Sequence, residues 1–124
     1  MKWNLSNDRP IYLQLSEVVF QAIAVGKYPA GSRLPSVREL AAEAGVNPNT
    51  MQRALAELER EGLLYSQRTA GRFVTDEMER IRGKRKELAM DQVQSFLSTM
   101  KDMGYTAEET VELIRQAIGE EEKK

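Results

Sequence analysis

The side chains able to do chemistry in this sequence lie between residues 36 and 72, and their chemistry is hydrogen bonding, not bond making. Asn47, Asn49, Thr50, Gln52 and Arg53 crowd one short stretch. Arg38 precedes it, and Arg68, Thr69, Gly71 and Arg72 follow. Amide and guanidinium groups are the ones that read base edges in a major groove. Arginine donates to guanine N7 and O6, and asparagine or glutamine pairs with adenine N6 and N7. The rest of the chain offers little else. Its 124 residues include no cysteine and no histidine. That excludes a thiol nucleophile, a thiolate metal site, the usual zinc ligand and a Ser-His-Asp triad. With no Gly-rich phosphate loop and no nucleophile–base pair, no enzyme activity, catalytic residue, metal site or cofactor is expected. Asp91, Asp102, Glu108 and Glu109 read as helix-surface or capping carboxylates.

Capping signals predict the elements that hold these residues. Asp8-Arg9-Pro10 opens a helix carrying Ile11, Leu15, Val18, Val19, Ala22 and Ile23 at helical spacing. Gly26 ends it, and a loop runs through Arg33-Leu34-Pro35. Ser36-Val37-Arg38-Glu39 is a capping box for a short helix with Val37, Leu40, Ala41 and Ala44 on one face. Gly45 stops that helix, and Asn47-Pro48 starts the next, which runs to about Glu61. Leu63–Ser66 and Arg72–Thr75 then read as a hairpin around the loop 67–71. Two helices joined by a tight turn, followed by a hairpin, make a winged helix-turn-helix. Its expected core is Leu15, Val19, Leu40, Leu55, Leu58 and Phe73.

The second helix of the motif can be tested by its periodicity. At about 100° per residue, Met51, Ala54, Leu55 and Leu58 share one arc. Asn49, Arg53, Ala56 and Arg60 fall opposite, with Gln52 and Thr50 on the flanks. A recognition helix reads bases from its N-terminal half, where Asn49, Thr50, Gln52 and Arg53 sit. Helix N-termini, with Arg38 beside one of them, are ready phosphate sites. A blander reading has the same residues solvated, with Arg38, Arg53 and Arg60 paired to Glu39, Glu43 or Glu57. A net charge of -1 also argues against a nucleic-acid partner. The carboxylates, however, cluster at Glu57, Glu59, Glu61 and the C-terminal tail, away from the expected contact face. The rival function is a winged helix that holds a protein instead of DNA.

Arg33-Leu34-Pro35-Ser36-Val37-Arg38-Glu39-Leu40-Ala41, then Gly45-Val46-Asn47-Pro48-Asn49-Thr50, then Arg53-Ala54 and Leu58-Glu59 through Glu61-Gly62-Leu63 resemble the GntR family of bacterial transcription regulators. The likeness covers about residues 10–75, and the Asn-Pro-Asn-Thr start looks like its YtrA-like subgroup. The resemblance implies a homodimer on a short palindromic operator of double-stranded DNA, usually repressing transcription, often of a transporter operon. It implies DNA contacts for Arg38, for residues at the start of the recognition helix, and for the wing glycine Gly71. Pro48 and Gln52 stand where better-known members carry DNA-contacting arginines, and Thr69-Ala70-Gly71-Arg72 replaces a doubled glycine.

After Asp76 the composition changes, with Arg80, Arg82, Lys84, Arg85 and Lys86 in close succession. This run reads equally as a solvated linker helix or as a source of phosphate contacts. Two helices follow. One carries Ala89, Val93, Phe96, Leu97, Met100 and Met103; the other, opened by the capping box Thr106–Glu109, carries Ala107, Val111, Ile114 and Ile118. Two helices are too few to enclose a small-molecule pocket, so no effector is assigned. Phe96, Met100, Met103, Val111, Ile114 and Ile118 are expected to form a homodimer interface. The expected architecture is mainly α with a small β-hairpin: a winged helix-turn-helix over residues 1–76 and a two-helix dimerisation hairpin over 77–124. No apolar run is long enough to span a membrane and no signal peptide is apparent, so a soluble, cytoplasmic protein is expected.

Overall fold

Capping chemistry sets the helix boundaries. The computed structural model describes residues 1–123, in the order α1 (Ile11–Ala24), α2 (Val37–Ala44), α3 (Pro48–Arg60), β1 (Leu64–Gln67), β2 (Gly71–Val74), α4 (Met78–Asp102) and α5 (Ala107–Glu122). At the head of α2 the Ser36 hydroxyl accepts from the Glu39 amide at 3.1 Å, and the Glu39 carboxylate accepts from the Ser36 amide at 3.4 Å. At its end Gly45 takes φ +72°, a left-handed conformation that costs a Cβ-bearing residue about 1–2 kcal/mol. The Val46 amide then reaches back to the Ala41 carbonyl and the Gly45 amide to Ala42, closing the helix. Asn47 at once caps α3, its Oδ1 accepting from the Asn49 amide at 2.7 Å, and Pro48 occupies the first helical position. Pro10 is the N-cap of α1, one residue outside the helix.

Helix α3 packs against α1, α2 and β1. Met51, Ala54, Leu55 and Leu58 are buried, as the periodicity predicts, in a core with Leu15, Val19, Phe20 and Ile23 of α1 and Leu40 and Ala41 of α2. Strands β1 and β2 pair antiparallel, Leu64 opposite Val74 and Tyr65 opposite Phe73. Leu64 and Val74 are the buried pair. Side chains alternate across a sheet, so Phe73, expected in the core, falls on the other face. There it is only partly buried and stacks on Tyr65 with ring centroids 5.7 Å apart.

Residues 31–34, read from sequence as loop, line the free edge of β2. The Leu34 amide donates to Arg72, the Val74 amide to Ser32 and the Gly31 amide to Val74, each at 2.9 Å. Arg33 and Phe73 form an isolated antiparallel bridge. A segment with Gly31 at one end and Pro35 at the other lacks a strand's alternation. It is extended because β2 offers it partners.

The chain divides into two compact units, Met1–Arg85 and Lys86–Lys124. The start of α4 belongs to the first: Ile81 is buried, and Lys84 Nζ meets Glu61 Oε1 at 2.7 Å. That unit therefore runs on past the change of composition at Asp76. In the second unit the Thr106 capping box opens α5, with bonds of 2.9 and 3.1 Å to Glu109. Thr110 and Met100 are buried there. Met100, expected on the exposed apolar stripe, is thus covered already within the single chain. It lies just before the tight connection to α5, where its carbonyl accepts from the Met103 and Tyr105 amides, and its side chain is covered within the chain.

Leu58→Ala should destabilise the first unit by about 2–5 kcal/mol through the cavity it leaves. Trp3, the single tryptophan, donates to Glu43 of α2 at 2.8 Å and reports on that unit. Its fluorescence in a urea titration should show a clearly lowered midpoint; an unchanged midpoint would reject this core.

Candidate nucleic-acid interface

Burial of one face of α3 turns the other outward. Asn49, Gln52, Arg53, Ala56 and Arg60 are exposed, together with Asn47 at the cap, and Thr50 is half-buried on the flank. Several of these side chains are already engaged. The Asn47 oxygen is used in capping. The Arg60 guanidinium pairs with Glu57, and that hydrogen bond holds the Glu57 carboxyl below the usual carboxylate range. Arg53 lies over the ring of Tyr12 on α1, 3.8 Å from its centroid. A guanidinium stacked on an aromatic face gains about 0.5–1 kcal/mol at an exposed site and loses much of its freedom. Tyr12 carries no sequence signal for this, because the contact joins two helices far apart in the chain.

The wing is a tight hairpin closed by the Ala70 amide donating to the Gln67 carbonyl at 3.0 Å. Thr69 has φ +67°, the sign that a type II turn demands of its third residue, where glycine is usual. Gly71 has φ +108°, and a Cβ there would sit 3.0 Å from Arg33 Nε. Arg68 is exposed at the tip. Arg72, read from sequence in the second strand and as a DNA contact, lies in β2 and turns back toward α3, its Nη1 donating to Gln52 Oε1 at 3.1 Å and its Nε to Glu59 Oε1 at 3.3 Å. Ser66 Oγ donates to the same Glu59 oxygen at 2.6 Å. Ser66 was not singled out from sequence, and Glu59 was read only as one of the carboxylates away from the contact face, since nothing local marks a carboxylate as the anchor of a strand that follows it.

Between the wing and the start of α2 runs an open cleft of about 350 Å³, lined by Arg33, Ser36, Gln67, Thr69, Gly71 and Arg72 among others. Arg38 is exposed in the first turn of α2. Arg38, the α3 face and the wing are therefore carried by one compact unit. In the basic run, Arg80 pairs with Glu77, Arg82 with Glu79 and Lys84 with Glu61, while Arg85 and Lys86 are exposed. Among the described residues there is no group of three or more His, Cys, Asp or Glu side chains placed to hold a metal ion, and no helix long and apolar enough to cross a membrane.

The family model for bacterial regulatory proteins of the gntR family matches residues 11–74, the span from α1 to the end of the wing. The chain belongs to the GntR family. It is a DNA-binding transcriptional regulator with a winged helix-turn-helix and a C-terminal helical part. It is 36% identical over 109 residues to an uncharacterized HTH-type transcriptional regulator, YhcF of Bacillus subtilis, covering 88% of this chain and 90% of that one. It is 39% identical over 70 residues to the HTH-type transcriptional repressor YtrA of the same organism, covering 56% of this chain and about half (54%) of that relative. Among solved structures it is similar to a GntR family transcriptional regulator from Listeria monocytogenes, with a TM-score of 0.82 and 35% identity over 90% of this chain and 98% of that one. These similarities fit the YtrA-like subgroup and a transcriptional regulator.

The left-handed threonine in the wing can be relieved. Thr69→Gly should slow hydrogen exchange at the hairpin amides, consistent with about 1 kcal/mol of local stabilisation. Unchanged or faster exchange would show that the wing carries no strain at that residue.

Proposed function

We propose that this GntR regulator is a homodimeric repressor of a palindromic operator, with a transporter operon as the expected target. The observation that carries the reading is the outward face of α3, with Asn49, Gln52 and Arg53 exposed along its N-terminal half. Such a face suits insertion into a major groove. Arg38 on α2 and Arg68, Thr69 and Gly71 on the wing are then the backbone contacts, and the cleft between wing and α2 has room for a sugar-phosphate strand. The repressor role follows the similarity to YtrA.

The dimer follows from the second unit. Phe96, Met103, Val111, Ile114 and Ile118 are all exposed there, as are Val93 and Tyr105. Apolar side chains exposed in this number mark an interface, and two-fold pairing is the commonest solution for soluble oligomers. Two copies set two recognition helices about one duplex turn apart, or a multiple of it. That makes the second half-site contact intramolecular, a gain of roughly 10²–10⁴ in affinity.

Gel-shift titration across a salt series on an operator recovered by selection from random duplexes tests the DNA reading. Arg53→Ala should cost about 1–3 kcal/mol and relax base preference at one position per half-site. Arg38→Ala should weaken all sequences alike and flatten the salt slope by about one unit. No selection of any duplex by the wild-type chain would sink the reading.

The interface is tested separately. Phe96→Glu with Ile114→Glu should sediment as a monomer and lose most of the operator affinity, while Trp3 still reports a folded first unit. A double variant that remains dimeric would exclude this face.

A further inference from the structure

The bonds that tie the wing to α3 also decide which atoms Gln52 can offer to DNA. A glutamine amide has one acceptor oxygen and an NH2 group with two donors, whereas a guanidinium has five donors and no acceptor. The Gln52 atom 3.1 Å from Arg72 Nη1 is therefore the oxygen. Arg72 is held in turn: its Nε donates to Glu59, Glu59 accepts from Ser66 Oγ, and its side chain is only 17% exposed. Arg72 takes one of the two lone pairs of the Gln52 oxygen and sets a cationic donor beside the other, so the amino group is the part that best suits an approaching acceptor.

We propose that Gln52 reads a keto base, guanine first, as a donor only, and that Arg72 of the wing imposes this choice. The bidentate glutamine–adenine pair needs both ends of the amide, the oxygen accepting from N6 and the nitrogen donating to N7. With Arg72 already on that oxygen, the N6 amino donor of adenine must share it with a cationic donor, which weakens the second of those two bonds. Guanine presents two adjacent acceptors, N7 and O6, and thymine presents O4; an amino group with two hydrogens matches these edges. The wing thereby sets a base preference without touching the base. Glu59 and Ser66 act one step further back, as positioning residues for Arg72. The inference rests on the reading that the outer face of α3 enters the major groove.

Selection of bound duplexes from a random library, using the full chain as wild type, Gln52→Ala, Arg72→Ala and the double variant, tests it. The position that Gln52 reads is the one whose preference Gln52→Ala flattens. The wild type should hold guanine or thymine there over adenine by roughly ten-fold, and Arg72→Ala should move the preference toward adenine. Arg72→Ala also loosens the wing and lowers affinity for every duplex, but loosening alone does not change which base is chosen at one position. In the double variant that position should show no preference. Where the base is guanine, replacing it by 7-deazaguanine removes the N7 acceptor and should weaken wild-type binding several-fold, with no variant needed. Adenine at that position in the wild type, or a keto preference that survives Arg72→Ala, overturns the inference while leaving DNA recognition by α3 intact. If Gln52→Ala alters no position, the placement of Gln52 in the groove fails and takes the inference with it.

Discussion

Met51, Ala54, Leu55 and Leu58 are buried on one side of α3, and that burial fixes the helix about its own axis. A helix free to roll would present no constant set of side chains to anything. Each of those apolar groups is worth about 1.5–3 kcal/mol for the larger side chains when fully removed from water, so a roll that exposed them would cost several such terms together. The polar face is defined by what the apolar face cannot give up. Helices α1 and α2 and strand β1 supply the surfaces against which it is locked. The Schellman closure at Gly45 and the Asn47 cap bring α2 and α3 into contact through a turn too short to rearrange.

A chain with a net charge of -1 presents arginines outward by assigning its carboxylates local duties. Glu57 holds Arg60, Glu61 holds Lys84, and Glu59 anchors Arg72 and Ser66. The exposed ones among such pairs add little stability, about 0–1 kcal/mol each. Their consequence is geometric. The partly covered Arg72–Glu59 pair sets the hairpin at a fixed place beside α3, and the Tyr12 ring does the same for the Arg53 guanidinium at no cost in net charge. The sequence reading put these carboxylates away from the contact face. Glu59 instead stands at the root of the wing.

What was legible in the sequence is what neighbouring residues decide among themselves. Capping boxes at Ser36 and Thr106, the Asn47-Pro48 start, the stop at Gly45 and the apolar arc of α3 are all local, and all stand as read. The departures share a different origin. Residues 31–34 are extended because β2 needs a partner along its edge. Phe73 is displaced from the core by a pairing register that gives the buried side to Val74. Arg53 meets Tyr12 and Arg72 meets Gln52 across distances in sequence that no spacing rule spans. Met100 looked equivalent to Phe96 and Met103 by helical periodicity, and only the turn into α5 distinguishes it.

The second unit poses the opposite problem from α3, because its apolar side chains are outside. Among its described residues only Met100 and Thr110 are buried, and Thr110 spends its hydroxyl on the Thr106 carbonyl at 2.8 Å. Units of about 40 residues seldom stabilise themselves without an added constraint, and this chain has no cysteine to supply a disulfide. Capping at Thr106 starts α5 but cannot substitute for a core. In the proposed dimer, the exposed Phe96, Val111, Ile114 and Ile118 would become that core, so folding of the helical hairpin and association would be one equilibrium. Its stability would then rise with protein concentration, whereas the winged helix, which owns its core, would not feel the difference. Operator affinity would inherit that concentration dependence, since only the paired state offers two recognition helices to one duplex.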